Sequence, residues 1–454
     1  MPVRTKHTEP STLAQLAAVT GDAWEQEIVP LLPAELAAQA RALGAFQRVR
    51  QVAAPTVLLR ALLAFALDQL STRGLGAWGV LTGVADISET AWRKRLGKSS
   101  AWLGWLLGEL LAAEVAVSPA LARRGRRIRL IDATRLAQIS GCGDDWRAHL
   151  SYDLLASRMD AVVVTDRHTA EGLTHFRFQP GDIAVGDGGY GYRRQVATAR
   201  TAQAEVVLRI DPRTCPLEDA AGQRFDVEAW LTGLERARTG LAVWAGWCVF
   251  QGQRYPVRLI ANAVPATQRC QARRKKARRA KKKGKQVSAR TLRLTGWWLL
   301  LTTLDAAWSA ADIVRLYRAR WQVELLFKRL KQLLRAQAIR ATSRAAAEAT
   351  VRALLVAWAL QERVAATVQA EMAAVAPVDP ARPVSLWRVA EVSLRTLAQT
   401  VRGTWTVAHL MACLPRLARF LRDTPRRRPQ QAATVRDWLA AHPGRAAVPE
   451  EVAA

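Results

Sequence analysis

SAADIVRLYRARWQVELLFKRLKQLLRAQ occupies residues 309–337 and contains Tyr317, Arg320, Glu324 and Lys331, with two, three and six residues between successive members. An α-helix turns about 100° per residue, so these four side chains fall within an arc of roughly 60° and share one face. Ile313, Leu316, Trp321, Val323, Leu325, Leu326, Phe327 and Leu330 fill most of the remaining circumference. The pattern predicts a buried helix whose single polar stripe, a carboxylate flanked by Arg and Lys, is turned into a cleft. Such a stripe alone is most often a solvated face with i,i+4 pairs. Partners for Glu324 must therefore be sought elsewhere in the chain.

Upstream, RRGRR at residues 123–127 leads into IRLIDATRLAQ, where Ile128, Leu130 and Ile131 mark a buried strand with Asp132 near its end. WRAHLSYDLL and DAVVVTD read as two more strands of a short meander. In GDIAVGDGGYGYRRQVATAR a brief strand at 183–186 precedes Asp187, glycines turn the chain, and a helix starts near Tyr192; AEVVLRID supplies a further strand. An aspartate that ends a strand usually does no more than cap a turn. Asp153, Asp160 and above all Asp182 compete with Asp187 for a catalytic role.

The spacing Tyr-x2-Arg-x3-Glu-x6-Lys, preceded by IDAT at Asp132 and GDGGYG at Asp187, resembles the signature of the insertion sequence four family of DDE transposases. One departure is Gly188, where relatives often carry a basic residue. The likeness covers roughly residues 125–340 by motif and the flanks by character. It implies an α/β protein with a ribonuclease-H-like catalytic core at 121–340, interrupted by a β-rich and basic insertion at about 212–295. A helical DNA-end-binding domain at 1–120 and a helical region at 341–454, for dimerisation or end contact, would flank the core. It further implies that Asp132, Asp187 and Glu324 are the catalytic, metal-holding carboxylates, and that Tyr317, Arg320 and Lys331 contact the DNA backbone. Trp298, just before Leu-Leu-Leu-Thr, matches a tryptophan that stacks on a flipped base; its neighbour Trp297 could substitute.

Cleaving a phosphodiester requires an activated attacking oxygen and a stabilised leaving oxygen, which two divalent ions about 3.5–4 Å apart provide when carboxylates hold them. Oxygen-only ligands favour Mg²⁺, with Mn²⁺ as a substitute. The resemblance implies the order of events: a nick at the element's end, a hairpin, its reopening, and joining of the 3′ end to target DNA, with two subunits pairing two ends and no nucleotide cofactor.

Bulk properties agree with a polyanionic partner. The formal charge is +29 and the pI near 11.2, values that point to double-stranded DNA ahead of a small neutral substrate. No apolar run reaches 18 residues, so no membrane span is expected. Five cysteines without a CxxC pair suggest neither a zinc site nor a disulfide framework, and a cytoplasmic location, close to the bacterial nucleoid, is expected.

Residues 1–120 read as helical, with apolar spacing at 13–19, 57–70 and 102–111. Within them GLGAWGVLTGVADISETAWRKRLGKSS predicts two short helices, the second capped by Ser88 and carrying Arg93, Lys94, Arg95 and Lys98 towards DNA. In the insertion, LAVWAGWCVF and QRYPVRLIANAV predict a hairpin. Residues 269–293 then hold 13 Lys and Arg and no acid, among them Arg274, Lys275, Lys276, Arg278, Arg279, Lys281, Lys282 and Lys283. That run is expected to lack defined conformation without a partner and to act on phosphates electrostatically. Two rival readings are a catalytically idle DNA-binding protein derived from a transposase and a ribonuclease-H-like nuclease that cuts without joining.

Overall fold

The computed structural model describes residues 23–112, 126–136, 146–282, 284–336, 339, 343–375, 379, 382–424 and 431–442. Their contacts divide them into two compact units: one draws on Met1–Val115, Leu136–Trp146 and Arg329–Arg427, the other on Ala116–Arg135, Arg147–Lys328 and Arg428–Ala454.

The first unit opens with α1 (Leu36–Ala42), α2 (Pro55–Leu67), α3 (Thr72–Leu81), α4 (Glu89–Lys98) and α5 (Ser100–Ala112). Pro55 stands in the first turn of α2, where its missing N–H would have had no partner. Serines start the expected pair of short helices: Ser71 Oγ accepts from Gly74 N and Ser88 Oγ from Ala91 N. Trp92 is fully buried, leaving Arg93, Lys94 and Lys98 exposed on the other side of α4 and Arg95 half-buried.

The second unit holds the sheet. In chain order it comprises β1 (Ile128–Leu136), β2 (Trp146–Asp153), β3 (Arg158–Asp166), β4 (Ile183–Gly186), α6 (Arg193–Thr201), β5 (Glu205–Arg209) and α7 (Val227–Arg236). There follow β6 (Leu241–Phe250), β7 (Gln253–Ala263), α8 (Ala266–Lys281), α9 (Ala289–Leu294), β8 (Trp297–Thr302) and α10 (Ala310–Ala319). All eight strands form one sheet in the order β3-β2-β1-β4-β5-β8-β7-β6. β1, β4 and β5 run parallel at its centre, and β8, β7 and β6 add antiparallel beyond β5. The insertion hairpin thus extends the central sheet. Valines, leucines and isoleucines fill the strands, and their core includes Ile131, Val206, Leu208, Leu259 and Leu301.

The chain passes between the units within α11 (Trp321–Leu333). Beyond it, α12 (Arg344–Val375), α13 (Leu386–Arg402) and α14 (Val407–Leu417) belong to the first unit and α15 (Gln431–Ala441) to the second. The alanine-rich α12, with neither glycine nor proline, runs for 32 residues and packs against α2, α4, α5, α13 and α14. In the second unit, Trp438 of α15 meets Trp308 edge-on at 5.9 Å and lies under the Arg315 guanidinium at 4.9 Å.

Four local expectations change. The stretch 309–337 forms two helices that hand over at Arg320, where Arg320 N bonds to Tyr317 O and Val323 N to Arg320 O, each three residues back. Trp321, expected in the buried circumference, is 54 % exposed because the handover carries it to the outside. Asp132 is interior to β1, which runs on past its last paired position with β4 to Leu136. The basic run forms the helix α8, with no buried residue; alanines and the helix-favouring Lys and Arg permit it without a packed face.

Candidate active site

Two parallel strands set the first two acids side by side. Leu130 pairs with Val185 and Ile131 with Gly186, the last residue of β4, so Asp132 within β1 and Asp187 just past the end of β4 each follow that final pair. Asp132 Oδ1 accepts from Ala133 N at 2.8 Å and Asp187 Oδ1 from Gly189 N at 2.8 Å. The turn after Asp187 is built for closeness: a Cβ at Gly191 would lie 2.3 Å from the Arg209 carbonyl oxygen, so only glycine passes β5 there.

The third acid comes from the helical side. A capping box fixes the start of α10, with Asp312 N donating to Ser309 Oγ at 3.3 Å and Ser309 N to Asp312 Oδ2 at 3.1 Å. One turn before Glu324 stands Arg320. Its Nη1 donates to Asp132 Oδ2 at 2.9 Å and its Nη2 to Glu324 Oε1 at 2.5 Å, so one guanidinium ties the strand aspartate to the helix glutamate. Among the described residues no three His, Cys, Asp or Glu side chains close around a point as they stand, Asp132 and Glu324 being bound to different nitrogens of that guanidinium.

The electrostatics show an excess of negative charge. Burial, then the neighbouring Asp187, push the Asp132 carboxyl up to about 7, although Ala133 N and Arg320 pull it down. A fourth acid, Glu171, is raised by burial and by Asp187 as well. The Tyr190 hydroxyl is buried with no hydrogen-bond partner; burial raises its pKa, and Glu171, Asp132 and Asp187 are the negative charges facing it. Oxygen donors in surplus, a carboxyl raised by burial and by a neighbouring carboxylate, and an unpartnered phenol fit a hard divalent cation. Of the three acids expected to hold such an ion, Asp132 and Glu324 are joined through Arg320, and Asp187 lies close enough to Asp132 to raise its pKa.

The remaining candidates take varied places. Tyr317 is buried, with its ring 5.8 Å from the Arg320 guanidinium and 5.6 Å, edge-on, from Trp298. Half-buried Trp298 also lies beneath Arg318, whereas Trp297 turns into the sheet core and its indole N–H donates to Glu235 Oε1 at 3.3 Å. Lys331 lies two turns beyond Glu324 on α11, half-buried, and burial lowers its ammonium pKa. Arg274, Lys275, Lys276, Arg278, Arg279 and Lys281 project from α8 and Lys282 caps it, all exposed or nearly so; Lys283 lies outside the described residues.

The competing aspartates are otherwise engaged. Fully buried Asp182 takes two hydrogen bonds from Arg127, at 2.9 and 2.5 Å, and Asp160 pairs with Arg129 at 2.8 Å. Asp153 caps the turn after β2 through Leu155 N and Ala156 N. Sequence reading missed Glu171, which sits in an irregular segment with no periodicity or spacing to mark it.

Comparison with known proteins gives this geometry its context. The family model of the transposase DDE domain matches residues 123–360. The transposase for insertion sequence element IS421 of Escherichia coli is 34 % identical over 331 residues, covering 72 % of this chain and 89 % of its own. The InsL protein of insertion sequence element IS186A of Escherichia coli K12 is likewise 34 % identical over 330 residues, with the same coverage. The chain belongs to the DDE transposases of insertion sequences, enzymes that cut DNA with the help of divalent metal in cut-and-paste transposition.

Proposed function

We propose that this protein excises an insertion sequence and joins its 3′ ends to target DNA, through a hairpin at the element's ends, at one site made of Asp132, Asp187 and Glu324. The observation that carries the reading is the Arg320 guanidinium bonded to both Asp132 and Glu324. A strand acid and a helix acid far apart in sequence meet at one cation, with Asp187 close enough to Asp132 to raise its pKa. The parallel β1-β4-β5 centre of the sheet supports a ribonuclease-H-like core.

Two divalent ions, Mg²⁺ or Mn²⁺, would supply charge neutralisation at the attacking and departing oxygens. Asp132 would hold them from β1, Asp187 from the turn after β4 and Glu324 from the helix. The Arg320 fork fits phosphate as well as carboxylate, so it can turn to the DNA backbone once the acids have other counter-charge. The Tyr317 hydroxyl and the Lys331 ammonium address the same backbone. Trp298 offers a ring face to an unstacked base. Arg93, Lys94, Arg95 and Lys98 on α4, within the end-binding region 1–120, and the cations of α8 neutralise phosphates along the duplex. Two copies pair two ends, with residues 341–454 contributing to dimerisation or end contact. Because every step is a displacement at phosphorus, one site serves all of them without a nucleotide cofactor.

The test uses supercoiled plasmid carrying the element's ends. Asp132→Ala, Asp187→Ala and Glu324→Ala each abolish Mg²⁺-dependent cutting and joining while end binding in a mobility-shift assay stays nearly unchanged. Full activity in any two of the three would mean the site is misassigned. Cutting with no joined product would make the protein a nuclease, and the absence of any nick in the wild type a binding protein only.

A further inference from the structure

Glu171 lies 16 positions before Asp187 in sequence, yet the two carboxylates border the same small space. A Cβ built on Gly189 would fall 2.1 Å from Glu171 Oε2 and 3.1 Å from Asp187 Oδ1, so the missing side chain makes room for both. The backbone on either side of Glu171 is pinned. Arg147 Nη1 donates to Thr169 O at 2.7 Å, His175 Nε2 contacts Ala170 O at 2.9 Å, and Leu173 N donates to the buried Gln195 Oε1 at 2.7 Å. The carboxylate itself, by contrast, takes no hydrogen bond or ion pair among the described residues. Opposite it stands the Tyr190 hydroxyl, on a side chain with no exposed surface and again without a partner.

A structural carboxylate is normally tied to a donor, as Asp182 is to Arg127. Glu171 instead faces another carboxylate across a glycine, with no donor bonded to it and only the nearby charge of Arg147 to offset the repulsion of Asp187, beside a buried phenol that needs a partner. We infer that Glu171 is a fourth carboxylate of this centre and holds a divalent cation jointly with Asp187, the Tyr190 hydroxyl bonding an oxygen that the cation brings with it. Mg²⁺ and Mn²⁺ keep water among their ligands, which supplies such an oxygen. This inference rests on the assignment of Asp187 to the active site.

The experiment titrates Mn²⁺ into the full-length protein without DNA, following the free-ion signal by electron paramagnetic resonance and the melting temperature in parallel, for wild type, Glu171→Gln and Asp187→Asn. Glu171→Gln weakens Mn²⁺ binding by at least about tenfold, the lower end of what loss of even an outer partner of a metal ligand costs. Its metal-free melting temperature holds or rises, because a repelling charge has gone, and the rise produced by Mn²⁺ shrinks. Wild-type Mn²⁺ affinity in Glu171→Gln beside weakened affinity in Asp187→Asn would overturn the role of Glu171 and leave the active site standing. Unchanged affinity in both, or no saturable binding by the wild type, would remove both. A lower metal-free melting temperature for Glu171→Gln would show that the charge serves the fold and would equally overturn the proposal.

Discussion

Asp132 is the residue on which the charge balance of the site turns. It has a guanidinium at 2.9 Å, yet its carboxyl is pushed up to about 7, since burial and Asp187 outweigh Arg320. The consequence for stability follows from proton counting. Between about 4, where an unfolded aspartate titrates, and about 7, the metal-free folded protein keeps a proton that the unfolded chain has lost. Stability therefore falls as pH rises through that window, opposite in sign to an ordinary salt-bridged aspartate. Melting temperatures of the EDTA-treated protein should decline from pH 4 to pH 7, and Asp132→Asn should flatten the decline. A parallel decline in the variant would assign the titration to another group. Sequence motifs singled out Asp132 and Asp187 but could not weigh them against Asp182, because that choice depends on Arg127, 55 positions away, bringing its fork to Asp182.

At the scale of elements, strands were the most legible part of the chain. Runs such as IRLI at 128–131 and LLLT at 299–302 have the β-branched or leucine-rich character of buried strands, and the Gln251–Gln253 turn joins the expected hairpin. What periodicity does not carry is the handover at Arg320 or the fate of a segment with no apolar face. α8 shows the second case: eight of its sixteen residues are Lys or Arg, none is acidic, and none is buried. Holding so many like charges along one helix is unfavourable in isolation and favourable against a phosphate backbone. Replacing Arg274, Lys275, Lys276, Arg278, Arg279 and Lys281 by Gln preserves helix propensity and removes the charge. Affinity should drop for specific and random DNA alike, and the slope of log affinity against log salt should flatten by about 0.9 for each phosphate left unneutralised. An unchanged slope in fluorescence anisotropy would show that α8 does not reach the backbone.

For the whole molecule, the decisive fact is that each unit has its own core while the helical one is assembled from segments that precede and follow the sheet in the chain. No local signal announces this: α2 and α12 each read as apolar helices, and nothing in either names the other as its partner. Trp358, 1 % exposed on α12, sits in that shared core, where α12 packs on α2, α4 and α5 as well as on α13 and α14. Trp358→Ala should cost about 3–5 kcal/mol, the range for removing a large buried aromatic ring. The sheet unit keeps its own core of Ile131, Val206, Leu208, Leu259 and Leu301, so unfolding need not be a single transition. Denaturant titration followed by far-ultraviolet circular dichroism should resolve two steps, the earlier shift in Trp358→Ala confined to the helical one. The basic face of α4 depends on the same core, so end binding by this variant should vanish at the denaturant concentration where the helical step occurs. If both steps move together, or only one exists, the helical unit does not unfold independently and the assignment of a separate helical step is wrong.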